Sequence, residues 1–299
     1  MADPSAAGSS ARAPTRERAR PAKRAREPWP AFATPIVETH CHLDYLEGEG
    51  LEALLADARS RGVAEIVTIA VSPENLATVR EIVATHDGVY GTQGIHPHEA
   101  GGFDDGVAQE IRTALAQRSD LVAVGEIGLD YFYEHAPRAA QLAAFERQLQ
   151  IAVDLELPIV VHSREADEDT RAVLGNFTGA LKAKGVIHSF TSGLPLAEWC
   201  LGEGFKLGFN GITTFNKADN VREVVQITPT EQLVLETDAP YLTPVPYRGK
   251  PNAPCYLPFI AEYLADYRGE ERESFLRRVR ENSLALFPRL RAAGASASG

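Results

Sequence analysis

Cysteine is scarce and scattered. Cys41, Cys200 and Cys255 are the only three in 299 residues, and no two of them form a Cys-x-x-Cys pair. That excludes a disulfide framework and points to a reducing, cytoplasmic setting. Long hydrophobic runs are missing as well: no stretch reaches the roughly 18–20 apolar residues of a bilayer span, and the N-terminus lacks the apolar core of a secretory signal. No membrane partner is expected. Positive charge is in deficit, with 30 basic against 41 acidic residues and a net charge of −11. A broad cationic face that holds nucleic acid by counterion release is therefore excluded, and any polyanion must be met locally. What remains is the composition of a folded globular protein, 44% hydrophobic and 24% charged, long enough for one α/β barrel or two smaller domains.

The charge is unevenly spread. Seven basic and three acidic residues leave residues 1–35 at +4, whereas 23 basic and 38 acidic residues leave the remainder at −15. The first segment is rich in Ala, Ser, Gly and Pro and has no apolar periodicity, so it buries too little to offset its ordering entropy. Residues 1–35 are expected to be a disordered basic tail, residues 36–290 a single folded domain, and residues 291–299 a disordered C-terminus.

From residue 36 a short apolar run recurs, each time followed by a turn and a longer segment with helical spacing. Strands are predicted at 36–42, 65–71, 89–96, 121–128, 158–162, 185–190, 205–210 and 233–238. Amphipathic helices follow, as over 138–157, where Leu142, Phe145, Leu149 and Val153 recur every three or four residues. Others start near Gly50, Pro73, Asp105, Glu165, Leu194, Lys217 and Cys255. Eight such units in about 250 residues predict an α/β fold, the (β/α)8 TIM barrel, with a doubly wound open sheet as the alternative.

Potential metal ligands fall at the ends of the predicted strands. His40 and His42, two residues apart on a strand, share a face, while Cys41 points the other way. Glu126, His162, His188 and Asp238 close four further runs. A carboxylate such as Glu126 in apolar company is costly unless it is paired or coordinates a cation. In a barrel these ends form one mouth, where active sites are built. Six ligands exceed the needs of one tetrahedral ion and fit two divalent ions, of zinc, magnesium or manganese, bridged by Glu126. One site would take His40, His42 and Asp238, the other His162 and His188. Such a pair activates water and stabilises charge on a phosphoryl or carbonyl group, so the chemistry is hydrolysis. His96 and His98 follow the third run, and Arg164 and Arg248 lie beyond the fifth and eighth. His96, Arg164 and Arg248 are candidates for binding an anionic substrate, and His98, Glu126 and Asp238 for catalysis. His86 and His135 read as ordinary surface or loop residues.

Six segments carry a family resemblance: Glu38-Thr-His-Cys-His-Leu-Asp44, Gly94-Ile-His-Pro-His98, Gly125-Glu-Ile-Gly-Leu-Asp-Tyr131, His162-Ser-Arg164, His188-Ser-Phe190 and Glu236-Thr-Asp-Ala-Pro-Tyr-Leu242. Together they resemble the TatD family of metal-dependent hydrolases from residue 37 to about 288. The resemblance implies a barrel, two divalent metals and deoxyribonuclease activity, often removing nucleotides from a strand end. It implies ligand roles for the same six residues. Glu38 stands where the family has aspartate, and Ala253 where it has a glutamate at the substrate rim.

These readings converge on a monomeric deoxyribonuclease acting on single strands or ends, with Asp238 as proton acceptor. Two alternatives remain: an amide or ester hydrolase, for instance of aminoacyl-tRNA, on the same scaffold, and a non-catalytic nucleic-acid-binding scaffold that relies on the basic tail.

Overall fold

A computed structural model describes residues 29–46 and 50–290. Eight strands alternate with helices in chain order: β1 (Ile36–Cys41), α1 (Leu51–Ser60), β2 (Val63–Thr68), α2 (Leu76–Thr85), β3 (Val89–Gln93), α3 (Asp105–Gln117), β4 (Leu121–Asp130), α4 (Arg138–Leu155) and β5 (Ile159–Arg164). There follow α5 (Asp167–Phe177), β6 (Gly185–Ile187), α6 (Leu194–Gly202), β7 (Lys206–Phe209), α7 (Asp219–Ile227), β8 (Leu233–Leu235), α8 (Leu257–Arg268) and α9 (Arg272–Leu286). The strands form one parallel sheet in sequential order from β1 to β8. The seam closes where Asp238 N donates to His40 O at 2.9 Å and His42 N donates to Ala239 O at 2.8 Å. The fold is the (β/α)8 barrel.

All eight predicted runs are strands, with ends shifted by a few residues. The helix expected from Pro73 starts at Leu76 instead. The reason is local: Asn75 Oδ1 accepts from the amides of Val71 and Ser72, each at 3.0 Å, and holds the preceding residues in a turn.

Helix α4 does more than cover the sheet. Phe145 and Leu149 are fully buried, and so are two glutamines on the same face, Gln141 and Gln148. Gln148 pairs with both backbone groups of Ile95, accepting from its N at 2.7 Å and donating to its O at 3.1 Å. Gln141 does the same for Asp130, at 2.8 and 3.0 Å. Buried amides satisfied in this way anchor the ends of β3 and β4 at fixed height. At the opposite end, Leu286, Phe287 and Leu290 pack with Val37, Val67, Val160, Val186 and Val234 and close the barrel floor. Arg280 fastens α9 there through a bidentate pair with Glu65, 2.7 Å on each arm.

Residues 1–28 and 291–299 of the expected tails lie outside the described residues. Residues 29–35, assigned to the tail on composition, pack against the barrel. Trp29 lies 5.7 Å from Tyr247, 5.4 Å from Tyr256 and 4.9 Å from Phe259, ring centroid to centroid, with the Arg61 guanidinium 3.5 Å above it. Glu273 accepts from Ala33 N at 2.6 Å and from Thr34 Oγ1 at 2.8 Å. One aromatic anchor outweighs the disorder-prone composition around it. Replacing Trp29 by Ala is expected to cost about 2 kcal/mol and lower Tm by about 5 °C in thermal unfolding followed by circular dichroism; an unchanged Tm would show that the anchor carries no stability.

Candidate metal centre

The last residues of β1 set the pattern. His40 and His42 are buried and reach the mouth, while Cys41 between them lies in the layer beneath the helices and its Sγ donates to Val67 O at 3.7 Å. Across the closed seam Asp238 meets both imidazoles: its Oδ1 is 3.7 Å from His40 Nε2 and 3.6 Å from His42 Nε2. Asp238 adopts a left-handed backbone with φ 57°, a conformation that aspartate tolerates better than most residues and that turns its carboxylate into the cavity.

Glu126 sits at the centre. Its Oε1 is 2.7 Å from His188 Nε2, 3.2 Å from His162 Nδ1 and 3.5 Å from His96 Nε2, and its Oε2 is 3.4 Å from His40 Nε2. Among the described residues, three sets of donor atoms each fall within 4.8 Å of one another: His40, His42 and Asp238; His96, Glu126 and His162; and His40, His188 and Glu236. His42, Glu126 and His188, from three distant parts of the chain, thus line one cavity of about 680 Å³.

Three acidic residues in this assembly were absent from the sequence-derived site. Asp130 Oδ2 is 3.0 Å from both His98 Nε2 and His162 Nε2. Glu236 Oε1 accepts from Ser189 N at 2.5 Å and lies 3.7 Å from His188 Nδ1; Gly208 leaves it room, since a Cβ there would collide with the carboxylate. Glu38 accepts from Thr237 N at 2.9 Å and from His40 N at 3.1 Å. Strand parity was the available signal. Glu38 lies two residues before His40, Asp130 four after Glu126 and Glu236 two before Asp238, so each shares a face with a named ligand candidate.

Burial alone would raise the Glu126 carboxyl, but the charges of His188, His96 and His40 and the hydrogen bond from His162 hold it well below the usual carboxylate range. Reciprocally, burial opposes protonation of His188, yet Glu126 and then Glu236 bring it well above an ordinary imidazole. His162 and His42 are also raised, against burial, by their carboxylate partners. His96 and His40 go the other way, lowered by burial and then by repulsion from His162 and His188 respectively. Burial pushes Glu38 up to about 8.

Both ring nitrogens of His40, the Nδ1 atoms of His42 and His188, and Glu236 Oε2 are buried and find no hydrogen-bond partner among the described residues. Orphaned lone pairs of this kind are costly in a protein interior unless a cation takes them. The donor set, imidazole nitrogen with carboxylate oxygen, fits a divalent transition ion or magnesium assisted by water.

The remaining candidates divide. His96, expected on the substrate side, stands beside Glu126 in the second donor group. His98 and Arg164 line the mouth. Arg248 does not: its guanidinium lies 3.6 Å above the Phe215 ring, outside the cavity lining. His86 pairs with Glu52 at 3.4 Å, away from the mouth. His135 is exposed in the loop between β4 and α4, as expected, with its ring 4.6 Å from that of His98.

Raised imidazoles have a consequence for cation uptake. His188, His162 and His42 hold protons at higher pH than a free imidazole, and a cation must displace those protons. Loading is therefore expected to release protons near pH 7, and the apparent affinity should fall about tenfold per pH unit for each proton displaced as the pH drops. Calorimetric titration in buffers of different ionisation enthalpy measures this; uptake without proton release between pH 6 and 8 would contradict the charge pattern described.

Residues 37–288 match the family model described as TatD related DNase. The chain is 35% identical over 256 residues to the metal-dependent hydrolase YcfH of Escherichia coli K12, covering 84% of this chain and 95% of that protein. It is 36% identical over 242 residues to the 3'-5' ssDNA/RNA exonuclease TatD of Pantoea ananatis, covering 79% and 92%. The crystal structure of YjjV, a TatD homolog from Escherichia coli K12, superposes with a TM-score of 0.80 at 31% identity over 85% of this chain and 98% of that one. With its barrel, its converging imidazoles and carboxylates and these matches over most of its length, the chain belongs to the TatD family of metal-dependent hydrolases.

Proposed function

We propose that the mouth hydrolyses phosphodiester bonds at the ends of single-stranded DNA, using two divalent cations. The observation that carries this reading is the position of Glu126, one oxygen of which faces His188, His162 and His96 while the other faces His40. His40, His42 and Asp238 would hold one cation, His162 and His188 the other, and Glu126 both. Bound there, divalent cations ease deprotonation of water and neutralise charge that builds on phosphoryl oxygens.

The chain's own groups supply the rest. Asp238 is held in its ionised form, burial being outweighed by the hydrogen bond from His42 and the charges of His188 and His40. Its Oδ1 faces the two imidazoles of β1, leaving Oδ2 to accept the proton of the attacking water. His98, held by Asp130, faces the cavity and can donate to a phosphate oxygen. Arg164, on the same wall, lies where it can meet the phosphate of an adjoining nucleotide. The name of the Pantoea relative supports attack on single strands from the 3' end. No helix of the described residues is long and apolar enough to cross a membrane, which agrees with a substrate met in water.

The test is product analysis on end-labelled single-stranded DNA with magnesium, manganese and zinc in turn, beside a panel of ester and amide substrates. Mononucleotides released stepwise from one end are expected, and chelation should abolish them. Asp238→Asn should lower kcat by about a thousandfold while leaving the circular dichroism spectrum unchanged. Full DNase activity in that variant, or turnover of the acyl panel alone, would refute the assignment.

A further inference from the structure

Large aromatic side chains are normally withdrawn from water. Four of them stand open around this mouth: Tyr45 is 42% exposed, Phe132 50%, Tyr133 52% and Tyr241 53%. A chain of contacts runs from His42 through Asp238, His40, Glu126 and His162 to Asp130 and His98, and an aromatic pair sits at each end of it. At one end Tyr45 stacks on His42, with centroids 5.3 Å apart and planes at 17°, and Tyr241 meets the same ring edge-on at 6.3 Å. At the other, Tyr133 meets His98 edge-on at 5.6 Å and Phe132 packs against Tyr133 at 4.7 Å. The Arg164 guanidinium lies over both of those rings, 4.2 Å from Phe132 and 4.8 Å from Tyr133.

The second pair is not a loose loop tip. Asp130 Oδ1 accepts from Phe132 N at 3.0 Å and from Tyr133 N at 2.9 Å, while Oδ2 engages His98 and His162. One carboxylate therefore sets the rings and the imidazoles in a common frame. Charge adds a second argument. Among the described residues, four carboxylates, Glu99, Glu126, Asp130 and Asp238, line the cavity against one permanent cation, Arg164, so their charge gives little grip on a strand away from the scissile phosphate. Aromatic faces grip bases without charge, and stacking raises affinity by roughly ten- to a hundredfold per base.

We infer that Tyr45 with Tyr241, and Phe132 with Tyr133 and Arg164, are two stacking ledges that hold unpaired nucleobases on either side of the phosphate at the donor cluster. This rests on the phosphodiesterase reading and specifies how that site recognises its substrate: through the faces of bases. Paired duplex ends are disfavoured, because two ledges need two bases with open faces and a duplex end offers only the outer face of its last pair, and preference among bases is weak.

The experiment uses the full chain and oligonucleotides of one sequence, in deoxy and ribo form, carrying 2-aminopurine at the last or penultimate position and phosphorothioate linkages that resist cleavage. Stacking quenches 2-aminopurine fluorescence whether or not hydrolysis follows. Quenching by the wild-type chain is expected with at least one sugar. The Tyr45→Ala/Tyr241→Ala and Phe132→Ala/Tyr133→Ala double variants should each lose it at one position and raise the dissociation constant about tenfold or more. Tyr45→Phe and Tyr133→Phe, which keep the ring, should retain it. In a parallel cleavage assay, kcat/KM for a cleavable base-bearing strand should exceed that for its abasic counterpart at least about tenfold, and this ratio should fall toward one in the double variants. Absence of quenching in the wild type, quenching unchanged in both double variants, or a wild-type ratio near one would each overturn the ledges. Quenching without cleavage under any cation would leave the ledges standing and overturn the phosphodiesterase reading alone.

Discussion

A carboxylate removed from water persists as an anion only where positive charge meets it, and Glu126, 2% exposed, is met by four imidazoles. The rest of the mouth follows from that requirement. His188, His162, His96 and His40 come from the ends of four different strands or the turns just beyond them, so satisfying one anion forces the barrel to converge on one point. The same convergence leaves ring nitrogens of His40, His42 and His188 without hydrogen-bond partners among the described residues. Protons balance the cluster only in part, because burial, and after it repulsion from His162 and His188, lowers His96 and His40. Divalent cations remove that conflict by replacing several mutually repelling protons with fewer, denser charges, and dependence on metal is the property shared by the family.

Such a centre needs supports that do not move. Two buried glutamines on one face of α4 pin the backbone at Ile95 and Asp130, each through a donor and an acceptor. Asp130 in turn fixes the rings of His98 and His162 and, through its other oxygen, the turn that carries Phe132 and Tyr133. Glu38 spans the seam between β1 and the end of β8 by taking the Thr237 amide, next to the backbone bonds that close the ring. Helix packing, barrel closure and orientation of the centre are thus one network, in which a shift of α4 would be felt at the imidazoles.

A net charge of −11 runs against the polyanionic substrate proposed above. The apparent conflict is one of range. Salt screens the diffuse negative surface beyond about 8–10 Å, whereas divalent cations held among low-dielectric walls would dominate the field at the mouth itself. Under the proposed function recognition is short-range, drawing on bound cations, Arg164 and exposed aromatic faces.

Much of this was legible before any coordinates. The alternation of apolar runs with helical spacing marked all eight strands, and donors at run ends picked out His40, His42, Glu126, His162, His188 and Asp238, which line or floor a single mouth. Asp130 and Glu236 were passed over although their parity matched that of Glu126 and Asp238, because periodicity says which face a side chain shares without saying what it meets. Arg164 and Arg248 looked equivalent as cations beyond strand ends; one faces the cavity and the other stacks on Phe215. Trp29 looked like part of a tail because its partners, Tyr247, Tyr256 and Phe259, lie more than 200 residues away. By itself the sequence determined the order of elements, the family and many of the side chains that converge at the mouth, since these are written in neighbouring residues and their local spacing. Tertiary structure alone decided which atoms share a carboxylate, which cation faces the mouth and which aromatics stay open, because those depend on ring closure and helix packing between segments that no local pattern connects.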